Sequence, residues 1–460
     1  MKKLPFILLT LVAALMAVTT AFERLLGTTI SHEAVYDAEW FWTLWGLVAA
    51  GILYRLKDVR KFGVATLVGH VGMTVILAGA LVTALTAQRG KTHLRVGDSA
   101  NMFLTSEKHV EHLPFTVTLA DFDIETYDDS VTPKDYVSVL SYDSLQVTAR
   151  MNHPARIGRY SFLQTGCDND GGGSTLQVKY DPFGTPLTYL GYALLAIALL
   201  LHAFSWRSVV AMAVAVGLMS IPGTGSVSEM PFALPDWSGL ALCGVGLVAL
   251  TVFKKKLIHY ILLLPFVAMY ALRWYFGGHM PLGNSFETLQ FLTLGLLAAP
   301  LFKGVDIRKG IGLTALATCA QGVAFLSVFT AKVSPLAPVL ASPWLCLHVT
   351  IVMFSYVLLA YMLIQPSRDI LKKAVALLAT GIVLGAVWAN VSWGSYWHWD
   401  PKEVWALITL IVYALPLHAA SLPVFQKQKT FNLYCRIAFI AVLFTYFGVN
   451  FLMGGFHSYL

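Results

Sequence analysis

The sequence predicts an all-α polytopic membrane protein of about thirteen transmembrane helices that carries one small β-rich extracytoplasmic domain. Three observations lead there. Of 460 residues, 57% are hydrophobic and only 12% charged, whereas soluble domains carry roughly 25% charged residues. Apolar runs of about 18 or more residues, each long enough to cross a bilayer as a helix, recur from end to end. One stretch, 88–185, breaks the pattern with alternating polar and apolar residues.

The apolar runs place spans at 4–22, 40–54, 63–87, 186–204, 207–222, 237–253, 257–276, 285–302, 310–330, 343–365, 373–391, 404–420 and 432–453. The second is short and the fifth ends at Pro222. The first opens with Lys2 and Lys3, as a signal peptide does. It is longer than a usual signal core, and Thr-Thr-Ala before Phe22 is a poor cleavage site, so a retained helix is expected. Nineteen Lys and Arg fall in loops on the side of the N-terminus. Only Arg24, Arg273, Lys332 and Lys402 fall in the short loops opposite. That bias puts the N-terminus in the cytoplasm and the C-terminus outside. The net charge of +7 therefore reflects topology and implies membrane lipid as a partner, not nucleic acid.

In the polar stretch, VTLADFDIETY, YVSVLSYD and LQVTARMNHP alternate as half-buried strands do, and Asn-Asp-Gly-Gly-Gly at 169–173 marks a turn. Of the five cysteines only Cys167 is clearly outside, and no CxxC occurs. The external domain is thus not stapled by a disulfide, and the chain brings no dithiol of its own. The chain divides into N-terminal helices (1–87), the external domain (88–185), linking helices (186–236) and a second helical domain (237–460) with an aromatic loop at 391–403. The outer loops 277–287, 331–342 and 391–403 are apolar enough to build one external surface.

Histidine is costly in a bilayer and tends to mark a functional path. Drawn on the topology, His70 and His418 lie toward the cytoplasmic side, while His348 and His457 lie toward the outer side. Each pair has the composition to hold a heme iron from two faces. The outer pair flanks WGSYWHWDPKE (393–403), in which Trp393, Trp397, Trp399 and Tyr396 supply flat apolar surface for a porphyrin. Plainer readings exist for each. A lone His at a helix end is commonly interfacial, and Trp and Tyr form interfacial belts, the reading given to Trp40, Trp42 and Trp45. Asp400, Pro401 and Glu403 read as N-cap, N1 and N3 of a capping box. His398 is the loop histidine placed to line the site. By charge alone, Arg273 and Lys402 are partners for the heme propionates.

At these residues a resemblance emerges. WGSYWHWDPKEVWALITLIVYALPLH resembles the tryptophan-rich WWD signature of the heme-handling proteins of cytochrome c biogenesis, in surroundings similar to the CcsA branch, the system II cytochrome c synthases. SPWLCLHV, LPLHA and FGVNFLMGGFHSY look like that family's histidine-bearing segments, at His348, His418 and His457. The first 185 residues resemble its partner, ResB. GHVGMTVILAGALVTA, with His70, matches the histidine-bearing helix, and MNHPARIGRYSFLQTG matches a shortened external domain.

The resemblance implies a natural ResB–CcsA fusion in a bacterial cytoplasmic membrane, with the WWD loop extracytoplasmic. Heme b enters at His70 and His418 and passes to a WWD site. There His348 and His457 bind the iron, and Trp393, Trp397, Trp399 and Asp400 complete a catalytic site. An apocytochrome c presents its CxxCH thiols, kept reduced by thioredoxin-like proteins, for thioether formation. The same histidines also suit a heme exporter without synthase activity or a b-heme electron-transfer subunit. A heme-free cation transporter is a further reading.

Overall fold

Each of the thirteen apolar runs corresponds to one α-helix. The computed structural model describes residues 3–105, 108–127, 131–219, 237–301, 305–326, 333 and 335–453. Its helices are α1 (Leu4–Leu26), α2 (Glu39–Val59), α3 (Val64–Thr86), α4 (Gly184–Ala203), α5 (Trp206–Met219), α6 (Ser238–Phe253) and α7 (Leu257–Gly277). They continue as α8 (Ser285–Ala298), α9 (Ile307–Leu326), α10 (Pro343–Ile364), α11 (Arg368–Trp393), α12 (Pro401–Ala414) and α13 (Gln428–Leu443). Among the described residues eight helices are long and apolar enough to cross a membrane. The others are shorter or, like α2, more charged. The expected end of the fifth span at Pro222 lies outside the described residues, as does His457.

Helices α3 and α4 flank the external domain in sequence and pack at backbone contact. A Cβ on Gly79 would fall 2.3 Å from Thr188 Oγ1, and one on Gly191 would fall 2.7 Å from Ile76 Cγ1. Small residues let two helices approach this closely in lipid, where van der Waals packing replaces the hydrophobic drive.

Between them stand eight strands: β1 (Gln88–Arg95), β2 (Ser99–Thr105), β3 (Val110–Thr126), β4 (Pro133–Tyr142), β5 (Leu145–Arg150), β6 (Ala155–Ile157), β7 (Tyr160–Cys167) and β8 (Gly173–Tyr180). They form one antiparallel sheet in the order β5-β4-β3-β2-β1-β8-β7-β6. The two strands that end this order, β5 and β6, are consecutive in sequence. A tight turn joins them, with Arg150 N–H donating to the His153 carbonyl (2.9 Å) and His153 N–H donating back (3.0 Å). The sheet curls into a barrel-like body around Leu94, Phe103, Val117, Leu140, Phe162 and Leu176.

The barrel is seated on the helices by polar contacts. Asp181 accepts from Thr83 Oγ1 (2.9 Å) and from the backbone N–H groups of Gly184 and Thr185, satisfying the first donors of α4. Lys179 Nζ donates to Asn390 Oδ1 of α11 (2.5 Å) and to Thr185 Oγ1 (3.0 Å). Arg89, directly opposite Lys179 in the sheet, donates from Nη1 to Ser395 Oγ (3.2 Å). Like charges facing each other across a ladder are unfavourable. Burial, and next the Arg89 charge, push the Lys179 ammonium down to about 7 from its usual value near 10.5.

With the folded value depressed, the unfolded chain binds more protons between about pH 7 and 10.5, so stability must rise with pH across that window. Below pH 7 the cost of charging this buried lysine is paid in full. Thermal unfolding in detergent is expected to show a midpoint that climbs from pH 6.5 to pH 9, with a visibly flatter profile for Lys179→Met. Parallel profiles for the two proteins would mean that Lys179 stays charged on folding.

Candidate functional site

The helix ends bring His70 and His418 together. His70 is the seventh residue of α3, and His418 closes a 3₁₀ turn, Leu415–His418, that follows α12. Their ring centroids lie 6.0 Å apart with the planes at 83°. Each ring donates its Nδ1 proton to the backbone carbonyl four residues earlier, His70 to Thr66 (2.8 Å) and His418 to Ala414 (3.0 Å). A carbonyl can only accept, so Nδ1 carries the proton and Nε2 carries the lone pair. Metal-ligating histidines are oriented in this way. Two imidazoles on opposite sides of one metal, at about 2 Å each, have centroids about 6 Å apart. Phe6 of α1 covers His418 at 5.1 Å between ring centroids. Among the described residues no three His, Cys, Asp or Glu side chains converge as a bare metal ion would require. A porphyrin supplies four nitrogens itself and needs only axial partners, so this inner pair fits a heme.

His348 repeats the arrangement on α10, one turn from the helix start. Its Nδ1 donates to the Gly381 carbonyl of α11 at 2.7 Å, again assigning the lone pair to Nε2. Gly385, one turn further along α11, makes room for the ring: a Cβ there would lie 2.7 Å from His348 Cε1 and Nδ1. Its expected partner, His457, is outside the described residues, so the outer pair stands as a proposal on His348 alone.

The aromatic loop is shorter than its sequence suggests. Residues 391–393 belong to α11, which runs on through Trp393 and ends where Gly394 takes the left-handed conformation (φ 73°). Asp400 is the N-cap of α12, its Oδ1 accepting from Lys402 N–H at 2.9 Å, with Pro401 at N1. Glu403, at N3, accepts at Oε2 from His398 N–H at 2.8 Å, bracing the loop two residues before the cap. His398 Nδ1 stands 3.9 Å from the same carboxylate and its ring 6.0 Å from Trp393.

The loop side chains go to two sides. Tyr396 donates to Thr83 Oγ1 (2.9 Å) and packs with Tyr192, Val383 and Ala386, a cluster that Trp397 joins. Trp399 holds a left-handed backbone (φ 57°), uncommon for a bulky residue. Tyr36 stacks on it at 5.1 Å with 3° between planes, Phe41 meets it edge-on, and Trp45 lies 6.4 Å away. Trp45 thus packs on the loop and is not a member of a lipid-facing belt, while Trp40, 44% exposed, fits that reading. Tyr36 carried no signal in the sequence. Trp45 did, through aromatic density, but belts have the same composition.

Of the two cations proposed for the propionates, Arg273 forms a buried ion pair with Glu287 (3.0 Å), while Lys402 Nζ donates to the neutral Asn450 Oδ1 (2.9 Å), which does not neutralise its charge. Sequence position gave their charge but not the partners that neutralise or engage it.

Comparisons with known proteins match these two halves separately. Residues 59–179 match the ResB-like family, and residues 363–457 match the family described as cytochrome C assembly protein. The chain is 32% identical over 295 residues to the cytochrome c biogenesis protein CcsA of Pyropia yezoensis, covering 48% of this chain and 91% of the relative. It is 34% identical over 230 residues to CcsA of Chlamydomonas reinhardtii, covering 42% and 64%. It is also 34% identical over 220 residues to protein NrfI of Wolinella succinogenes, covering 41% of this chain and 24% of that longer protein.

Replacing Asp400 separates its cap from any chemical role. Asn caps as well as Asp, whereas loss of a cap costs about 1 kcal/mol. Asp400→Asn is expected to melt with the wild type and Asp400→Ala about 1 °C lower, the shift that about 1 kcal/mol makes in a chain of this length. If Asp400→Asn loses cytochrome maturation at unchanged melting temperature, the carboxylate acts in the reaction and not only at the helix end.

Proposed function

Because the chain belongs to the CcsA family of cytochrome c biogenesis proteins and carries a ResB-like region ahead of it, we propose that it moves heme b to the outer face of a bacterial cytoplasmic membrane. There it attaches heme covalently to the CxxCH thiols of apocytochrome c. A role in cytochrome c maturation follows from the family. The observation that carries the finer reading is the 6.0 Å imidazole pair. His70 lies in the ResB-like match and His418 in the cytochrome C assembly match. Neither half alone holds both ligands, so the joined chain has what each lacks.

The chemistry asks little of protein nucleophiles. Each thiol S–H adds across a vinyl C=C, sulfur bonding to the carbon next to the ring and hydrogen going to the terminal carbon. The step is redox-neutral. The heme and the substrate cysteines bring the reacting groups, while the protein binds and orients them. His348 and His457 would hold the iron beside Trp393, Trp397 and Trp399. The CxxCH histidine would then replace one of them as the product leaves. The thiols must arrive reduced. No disulfide joins cysteines among the described residues and the sequence has no CxxC, so the reductant would come from outside the chain, and thioredoxin-like proteins have the right chemistry. The Lys/Arg bias supports an N-terminus in the cytoplasm and the loop outside.

Purified wild type is expected to show a heme spectrum that His70→Ala and His418→Ala each weaken by more than half. Unchanged heme in both variants would remove the inner site. Co-expression with an apocytochrome c is expected to yield covalently stained cytochrome, lost with His348→Ala or His457→Ala and partly restored by added imidazole, which fills the vacant axial position. Heme-loaded protein that stains no cytochrome would leave an exporter. Stoichiometric heme with quinol-driven turnover would indicate an electron-transfer subunit, and a colourless preparation would favour a heme-free transporter.

A further inference from the structure

The turn that closes the β-barrel points its central side chain into the membrane half. Asn152 sits in that turn in the left-handed conformation (φ 62°), which Asn tolerates better than most residues, and is only 8% exposed. Its Nδ2 donates to the carbonyls of Pro338, Val339 and Ala341 at 3.1, 3.2 and 3.3 Å. Its Oδ1 accepts from Ser392 Oγ at 2.5 Å. One amide is thus engaged at both ends, its two N–H groups shared among three carbonyls and its oxygen accepting from Ser392, and both ends lead to the same place.

The carbonyls belong to the 3₁₀ turn Pro338–Leu340 and its exit, immediately before Ser342, the N-cap of α10. His348 follows six residues later, about 9 Å along the helix. Ser392 lies in the last turn of α11, beside Trp393 and the left-handed Gly394. The barrel also presses on that corner, since a Cβ on Gly394 would meet Gln177 Nε2 at 2.8 Å. Tyr127 of the barrel domain adds a bond from its hydroxyl to the Leu336 carbonyl (3.0 Å).

We propose that Asn152 is a positioning residue for the outer heme site, fixing the entry of the His348 helix relative to the tryptophan corner through a single buried amide. The inference rests on the reading of His348 as an iron ligand. It assigns the shortened external domain a task in the reaction: holding two distant segments of the other half in register. A buried amide held at both ends is rigid, and its removal takes a donor from each of these carbonyls and the acceptor from the Ser392 hydroxyl.

The test uses Asn152→Gly, because glycine accepts the left-handed turn and only the side-chain bonds are lost. Full-length protein is purified and co-expressed with an apocytochrome c, beside wild type and His348→Ala. Asn152→Gly is expected to cut maturation at least fivefold per folded protein, to move part of the bound heme from a six-coordinate low-spin to a five-coordinate high-spin spectrum, and to recover with imidazole. Ser392→Ala, which removes one hydroxyl, is expected to show the same changes more weakly and stands in if the glycine variant does not accumulate. An unshifted spectrum, with maturation falling only as folded protein falls and no response to imidazole, would overturn the proposal and leave Asn152 a fold residue. If His348→Ala itself left spectrum and maturation unchanged, the ligand reading would fail instead.

Discussion

A hydrogen bond from imidazole Nδ1 to a backbone carbonyl recurs at all three candidate ligand histidines described in this chain. His70 and His418 use the carbonyl four residues back in their own helical turn, and His348 reaches across to α11. In lipid an unpaired N–H is expensive, so each ring is held in one tautomer with the lone pair on Nε2. The difference between the two modes matters. A bond within the helix fixes the ring to its own backbone whatever the neighbours do. The cross-helix bond of His348 fixes it only while α10 and α11 keep their register, with Gly385 supplying the space. The orientation of the His348 ring is therefore the one that depends on tertiary structure.

That dependence is met by the first half of the chain. The aromatic loop of the second half is contacted from one side by Arg89, Gln177, Tyr192 and Thr83, and from the other by Tyr36, Phe41 and Trp45. Trp405 in α12 adds a bond from its indole N–H to Thr20 of α1 (2.9 Å). Two separate proteins would have to find this arrangement by collision. Joined in one chain, they meet at an effective concentration set by the connecting segment. The inner imidazole pair has the same origin, one ring from each half.

The thirteen helices and the β-rich character of the external domain were legible because both signals are local: long apolar runs for one, alternation for the other. The inner histidine pair was legible for a different reason, since topology alone puts two rings at one membrane depth. The barrel's seat was not legible. Asn152 reads as an ordinary turn residue and Lys179 as an ordinary strand cation, and only tertiary structure brings them to Ser392 and Asn390 of α11. Arg273 shows the converse. Its charge suggested a ligand for propionates, but Glu287, fourteen residues on in sequence, lies 3.0 Å away across the α7–α8 corner. Sequence reports which groups carry charge and does not report which of them are already compensated.

The tryptophans that the sequence groups together do different jobs. Trp393 ends a helix, Trp397 joins the cluster beneath the barrel, and Trp399 lies in a strained backbone under Tyr36. A non-glycine residue in the left-handed region costs about 1–3 kcal/mol, and an aromatic contact returns about 0.5–1.5 kcal/mol beyond burial. Trp399 has ring contacts with Tyr36, Phe41, Trp45 and Trp397, enough together to offset that strain. With Gly394 it marks the two ends of the stretch 394–399, each in the left-handed conformation. One face of the Trp399 indole is committed to Tyr36, so a flat ligand has at most the other. Trp399 pins the loop's far end, and in the proposed outer site it would offer a porphyrin no more than that one face.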